Sequence, residues 1–313
     1  MLEICNLNLG FNTENGFYQA LFDVSFMLEK GKMHALVGES GCGKTMSAMS
    51  ILRLLPKTAK ITGGKIIFNG NNLLNLSEKE MQKIRGAKIA LIPQDPMTSL
   101  NPLYTIGDQL IEVIEAHQNL TGQDAYKKAV EALELVQMPC AETKMNVYPH
   151  ELSGGMKQRA IIAMALATKA EVLIADEPTT ALDVTIQAQI MNLLNEIKPQ
   201  TSILLITHDL ALVSEYADEV SVMYAGRIVE NAPAKDFFQT PNHPYSVALL
   251  KALPSDKTDK LNTIEGQPPA IQQQISGCRF HPRCEQRMDI CQKEVPELKI
   301  IGENHFSACH LNS

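Results

Sequence analysis

Residues 2–9 and 21–28 alternate apolar and polar side chains around a polar stretch at 12–16, and this two-residue period predicts two strands joined by a turn. A short apolar run at 33–37 leads into a glycine-rich turn, and 46–55 then carries a helix-compatible pattern. A short strand at 65–69 is bounded by Gly64 and Gly70, a polar helix is expected near 77–84, and 89–92 reads as an apolar strand. Gln94, Asp95 and Pro96 end that strand and open an irregular segment reaching Thr105. From Ile106 to about Val136 the spacing turns helical, so residues 97–160 read as a helical insert in an otherwise α/β domain. Beyond it, a helix is expected from Leu152 to about Thr168, and buried strands at 172–176 and 203–206.

Composition narrows the class. At 313 residues the chain has room for about two domains, and 45% hydrophobic residues is ordinary for a soluble globular protein. A formal charge of −7 argues against a nucleic-acid-binding surface covering the molecule. No apolar run approaches the roughly 18 residues of a membrane span, and the longest candidate, 160–167, reads as a buried helix. The first residues open directly on strand-like alternation without a charged-then-apolar leader, which predicts a cytosolic chain and leaves docking on a membrane protein open.

The candidate chemistry centres on Gly38-Glu39-Ser40-Gly41-Cys42-Gly43-Lys44-Thr45, between the apolar run and the helix. Such a loop can curl tightly and aim its N–H groups at phosphate oxygens, and the helix start adds a positive dipole end. Lys44 can then reach the β- and γ-phosphates, and the Thr45 hydroxyl can sit on Mg²⁺. Leu152-Ser153-Gly154-Gly155-Met156 opens a second anion-binding helix start, with Ser153 placed to cap it. The strand at 172–176 ends in Asp176, positioned to hold Mg²⁺, and Glu177 follows as the base or water-orienting group. His208, after the strand at 203–206, can contact the γ-phosphate or serve a structural role. Phe11 and Tyr18 can stack on an adenine ring or simply pack on their strands.

Together these pieces resemble the nucleotide-binding subunit of ABC transporters over roughly residues 1–240. The resemblance implies an α/β P-loop NTPase of ABC type with an antiparallel β subdomain and a helical subdomain. It makes Gln94 the glutamine-loop residue and a further Mg²⁺ contact, Ser153, Gly154 and Gly155 the signature, and Ala181-Leu182-Asp183 the D-loop. His208 becomes the switch histidine, and Lys44, Gln94, Glu177 and His208 the catalytic set. Met156 stands where many relatives carry glutamine. The signature of one subunit is expected to face the phosphate loop of another, so ATP joins the pair and hydrolysis releases it.

The stretch 93–102, the run His243-Pro244-Tyr245-Ser246, and Gly266-Gln267-Pro268-Pro269 leading into Gly277-Cys278-Arg279-Phe280-His281-Pro282-Arg283-Cys284 are similar to the oligopeptide/dipeptide importers. That resemblance implies an ATPase domain at 1–240, a helix and linker at 241–276, and a small Cys-rich C-terminal extension at 277–313. It further implies two membrane permease subunits, a second ABC ATPase subunit as hetero- or homodimer, an extracellular solute-binding protein, and a peripheral place at the cytoplasmic face of the membrane. Nickel and glutathione importers share the class, so the solute stays open. The alternative is a soluble ABC ATPase of iron–sulfur assembly type, which has no need of the extension.

Of seven cysteines, four lie in that extension: Cys278, Cys284, Cys291 and Cys309. In a cytosolic chain such a cluster points to metal more than to disulfides. Structural zinc favours closely paired knuckles, which this spacing lacks, whereas a [4Fe–4S] cluster tolerates irregular intervals and is what the resemblance implies. Zinc and free thiols are the other two readings.

Overall fold

The computed structural model describes residues 1–180, 182–253, 264–273 and 275–312. Ala181 of the expected D-loop and part of the expected linker lie outside the described residues. In chain order the first elements are β1 (Leu2–Thr13), β2 (Gly16–Leu28), β3 (Met33–Val37), α1 (Lys44–Leu52), β4 (Ala59–Phe68) and β5 (Asn71–Asn72). Then come α2 (Glu78–Ile84), β6 (Ile89–Ile92), α3 (Pro96–Ser99), α4 (Ile106–Gln118), α5 (Gly122–Leu135), α6 (Ala141–Lys144) and α7 (Gly154–Ala167). They are followed by β7 (Val172–Asp176), α8 (Val184–Ile197), β8 (Ser202–Thr207), α9 (Leu210–Tyr216), β9 (Glu219–Tyr224) and β10 (Arg227–Pro233). The last are α10 (Ala234–Gln239), α11 (Pro244–Lys251), β11 (Lys299–Gly302) and β12 (His305–Ser307).

The chain divides into two compact units, one of Met1–Glu29, Met33–Asn75 and Ile206–Ser313, the other of Lys30–Lys32 and Leu76–Leu205. The first unit carries an antiparallel sheet of order β2-β1-β4-β5. Its inward face skips a step: Leu2 and Ile4 are buried, then Leu7 and Leu9. A bulge between Ile4 and Leu7, with Asn6 at φ 48, absorbs the extra residue and keeps both pairs facing the core. The same unit holds the strand series β11-β12-β10-β9-β3, in which β3 and β9 run parallel, His34 opposite Glu219 through Val37 opposite Val222. β3 is buried at every position, as a parallel strand covered on both faces requires.

Residues 299–307 join this sheet. β12 pairs with β10, Glu230 opposite Ser307 and Asn231 opposite Phe306, so the C-terminal residues are built into the sheet of this unit. Phe280 is buried in the aromatic core of that unit, edge-on to Tyr224 at 5.1 Å and tilted against Tyr245 at 5.3 Å. Glu230, fully buried, accepts hydrogen bonds from the backbone N–H groups of Asn242 and His243 at 2.8 Å and pairs with His305 Nε2 at 2.7 Å. One carboxylate thereby joins β10, the start of α11 and β12.

In the second unit β6 and β7 pair in parallel, Ile89 opposite Val172 through Ile92 opposite Ala175, with β8 next to β7. Between β6 and β7 the chain is helical. α4 starts at a capping box of Thr105 and Asp108 and buries Ile106, Leu110 and Ile114, a four-residue repeat on one face. α5 answers with Ala125, Ala129 and Ala132, whose small side chains let α4 and α7 approach. The segment after β6 contains one regular turn, α3, because the Asp95 carboxylate caps it at the Met97 N–H (2.8 Å) and Pro96 supplies the first helical φ.

Candidate phosphate and metal sites

Each strand end carries its chemistry on the next few residues. After β3 the loop at 38–43 turns through Gly38 (φ 152) and Gly43 (φ 112). A Cβ on Gly38 would stand 2.2 Å from the Met223 carbonyl oxygen, so only glycine fits there. Lys44 is buried, and its ammonium donates to the Gly38 carbonyl at 2.7 Å and the Glu39 carbonyl at 3.1 Å. The lysine thus lies inside the curl of its own loop, with the Cys42 sulfur 3.9 Å away. Burial pushes the Cys42 thiol up despite the nearby Lys44 charge, so Cys42 stays a neutral packing residue. Thr45 is the second residue of α1, whose N-cap is Gly43. Glu39 is held from outside the loop: its N–H donates to the Tyr245 hydroxyl at 3.0 Å, and its carboxylate is gripped by Arg283 at 2.7 and 3.0 Å. His208 follows β8 in the same unit and is exposed.

The other unit holds Gln94, Ser153, Gly154, Gly155, Asp176, Glu177 and Asp183. Asp176 ends β7 and is 1% exposed. Glu177 adopts φ 48, a left-handed backbone that a glutamate rarely takes and that marks a constrained position. Its carboxylate accepts from the Thr180 hydroxyl at 3.0 Å. Ser153 caps α7, its oxygen accepting from the Met156 N–H at 3.3 Å, and both Ser153 and Gly154 are exposed to solvent. Further along α7, buried Gln158 donates to the Pro178 carbonyl at 2.7 Å. Helix α7 is thereby tied to the turn that carries Glu177, a link that Gln158 did not announce in the sequence. Asp183 accepts from the Ile186 N–H at 3.0 Å and caps α8, and Gln94 is exposed just past β6.

Phe11 and Tyr18 face one another across the β1–β2 pair, and with Ile271 they line an apolar groove of about 590 Å³. The four tail cysteines line a single cavity of about 10 Å³ with His243, His281, Phe280 and Leu311. All seven cysteines are free thiols. Burial pushes Cys278 up to about 11 and raises Cys284 and Cys309 as well; a backbone N–H at each sulfur pulls the other way, and the neighbouring thiols add to the rise. Among the described residues, no group of three or more His, Cys, Asp or Glu is arranged to hold a metal ion. The expected four-thiolate ligand set is therefore a shared cavity in this fold, whose walls close on Phe280 and Leu311. Burial also pushes the His243 imidazole down to about 3, which keeps it neutral as the N-cap acceptor for the Tyr245 N–H at 3.1 Å.

Two family profiles match the chain: ABC transporter over residues 21–180, and oligopeptide/dipeptide transporter, C-terminal region, over 229–291. The chain belongs to the ABC transporter ATP-binding proteins. Among its ABC relatives, a probable peptide ABC transporter ATP-binding protein of Sinorhizobium fredii is 48% identical over 99% of this chain and 94% of its own length. The oligopeptide transport ATP-binding protein OppD of Escherichia coli is 46% identical over 99% of this chain and 92% of its own. A solved dimer of the ATP-binding cassette MJ0796 in a post-hydrolysis state, bound to ADP and Pi, superposes with a TM-score of 0.68 at 27% identity. It covers 75% of this chain and 99% of its own. As an ABC ATPase the chain takes ATP and Mg²⁺. No helix among the described residues is long and apolar enough to cross a membrane.

Proposed function

We propose that this chain is the ATP-hydrolysing subunit that drives import of di- and oligopeptides through a membrane ABC transporter. Two permease subunits, a second ATPase subunit and an extracellular solute-binding protein complete the assembly, with this chain peripheral at the cytoplasmic face. The observation that carries the reading is a phosphate loop closed around buried Lys44 in the same unit as a C-terminal segment matched to oligopeptide and dipeptide transporters. The proposed organisation is an ATPase domain at 1–240 with its helical part at about 97–160, a linker at 241–276 and the extension at 277–313.

The roles follow from side-chain chemistry. Lys44 neutralises the β- and γ-phosphates, while the loop from Gly38 through Gly43, with Ser40, Gly41 and Cys42 between, presents N–H groups to them; Glu39 belongs to the same loop, and its own N–H goes to the Tyr245 hydroxyl. Thr45, Asp176 and Gln94 offer hydroxyl, carboxylate and amide oxygens, the hard donors that Mg²⁺ prefers. When bound, Mg²⁺ offsets charge on the phosphate oxygens as the terminal bond breaks. Glu177 takes the proton of the attacking water, and His208 donates toward the γ-phosphate. Ser153, Gly154 and Gly155 close on the ATP of the partner ATPase, with Asp183 alongside.

The tail cysteines carry a second proposal, a [4Fe–4S] cluster bound by Cys278, Cys284, Cys291 and Cys309. Its support is the donor set: four sulfurs on one cavity, beside imidazole, apolar side chains and the Gln286 amide. When present, the cluster staples the extension and takes no part in hydrolysis. Anaerobically purified protein is then brown, with iron and sulfide near about four each per chain. Colourless protein holding one tight zinc would replace the cluster without touching the ATPase.

Reconstitution tests the main proposal. Purified with its permease subunits in proteoliposomes, the chain should support ATP-dependent uptake of a labelled tripeptide delivered by the co-purified binding protein. Stable association with soluble partners in place of permeases would favour the iron–sulfur assembly alternative.

A further inference from the structure

Arg283 lies 244 positions from Glu39, beyond both the ATPase core and the linker, yet its guanidinium closes on the phosphate loop. Its two terminal nitrogens donate to the two Glu39 carboxylate oxygens at 2.7 and 3.0 Å, the paired geometry that makes Arg–carboxylate contacts strong and directional. The remaining donors are spent on fixing the arginine: Nε to the Glu265 carbonyl at 2.9 Å, and weaker contacts to the Tyr224 hydroxyl and the Ile264 carbonyl at 3.4 Å. The Arg283 side chain is 5% exposed and that of Glu39 25%, so the arginine end of the pair is shielded from solvent while the carboxylate end is half-buried. A second grip comes from α11. The Tyr245 hydroxyl accepts the Glu39 N–H at 3.0 Å, and the Tyr245 ring is fully buried between Tyr224 and Phe280. Glu39 in turn receives the Lys44 ammonium on its carbonyl at 3.1 Å.

We propose that Arg283 and Tyr245 are positioning residues for ATP binding, holding the phosphate loop in shape through Glu39 from the C-terminal extension and α11. The proposal rests on the reading that this loop binds ATP. Glu39 occupies one of the loop positions whose side chain the phosphate cradle does not need, and here that side chain and its N–H serve as the handle. The extension therefore reports to the nucleotide site by a direct contact, whatever its cysteines carry. The chemistry is mechanical: with Glu39 released, the loop samples other curls, and ATP binding must reorder it.

The test uses the full-length chain, MgATP binding by calorimetry and steady-state hydrolysis in the reconstituted transporter. Arg283→Ala should weaken MgATP binding about tenfold, with the loss falling on KM more than on kcat. Tyr245→Phe keeps the buried ring and removes only the acceptor, and should weaken binding about threefold. Arg283→Lys retains charge without the fork and should fall between Arg283→Ala and the unmutated chain. Because both ends act through one contact, Arg283→Ala combined with Glu39→Gln should be no worse than the poorer single variant. Folded Arg283→Ala and Tyr245→Phe proteins that bind MgATP as the unmutated chain does, while Lys44→Ala loses binding, would overturn the inference. Additive losses in the Arg283→Ala, Glu39→Gln pair would do so too. Retained binding by Lys44→Ala would instead strike the ATP-site reading underneath it.

Discussion

Helix α1 starts at Gly43, in the left-handed region and without a side-chain cap, whereas α7 starts at Ser153, whose oxygen caps the Met156 N–H. Around the first start, Lys44 is buried and donates into the loop, and a Cβ on Gly38 or Gly43 would collide with Met223 or Leu21. Around the second, Ser153 and Gly154 are exposed and a Cβ on Gly154 would meet nothing within 4 Å. The first is a closed cradle whose shape is set by packing, and the second is an open, conventionally capped helix end. That contrast suits the proposed division of labour, in which one start holds its own nucleotide and the other meets a nucleotide brought by a partner subunit.

Removing the charge from the closed start should have the largest effect. Lys44→Ala loses a charge-assisted phosphate contact and should weaken MgATP binding at least about a hundredfold by equilibrium titration. At the open start, Ser153→Arg should abolish hydrolysis in the assembled transporter while MgATP still binds to this chain's own loop. Loss of binding in that variant would mean the two starts are not separate. A pair of glycine changes then sharpens the contrast at smaller scale. Gly38→Ala forces a backbone clash and an unfavourable φ, and should cost about 2 kcal/mol or more in chemical unfolding, with weaker ATP binding. Gly154→Ala adds a methyl to open space in a helix and should shift stability by no more than about 1 kcal/mol in either direction.

The two regions also differed in how much of them the sequence disclosed. Strands β6 and β7 were readable to their ends because a buried parallel strand is a short apolar run between breakers, and 89–92 and 172–176 are such runs. The glycine turn from β3 into α1 was readable because its demands are local: glycine at the turn, lysine and threonine at the helix start. β1 and β2 proved longer than the alternation suggested, reaching Thr13 and beginning at Gly16, because the added pairs from Gly10–Gln19 to Thr13–Gly16 form a mostly exposed hairpin end with no buried face to impose a two-residue period. The segment after Asp95, which reads as irregular, contains a capped turn that four residues cannot signal by periodicity. The contacts of the extension were hidden for a different reason. Nothing near Arg283 announces Glu39, nothing near Glu230 announces His305, and Gln158 gives no sign of the Pro178 carbonyl. These are pairings of side chains set by tertiary packing, and only a fold brings their partners together. The cysteines stand between the two cases: their gathering at one place was expected from the cluster that the resemblance implies and is found in one cavity, while the residues that share that cavity, His243 and Leu311 among them, were not legible.

The central claim is that the chain hydrolyses ATP with Glu177 as its base, and one variant tests it most directly. Glu177→Gln keeps the size and the hydrogen-bonding reach of the side chain and removes its basicity. In the reconstituted transporter it should bind MgATP as the unmutated chain does, while turnover falls roughly 10²–10⁴-fold. Hydrolysis by Glu177→Gln at the unmutated rate would contradict the account.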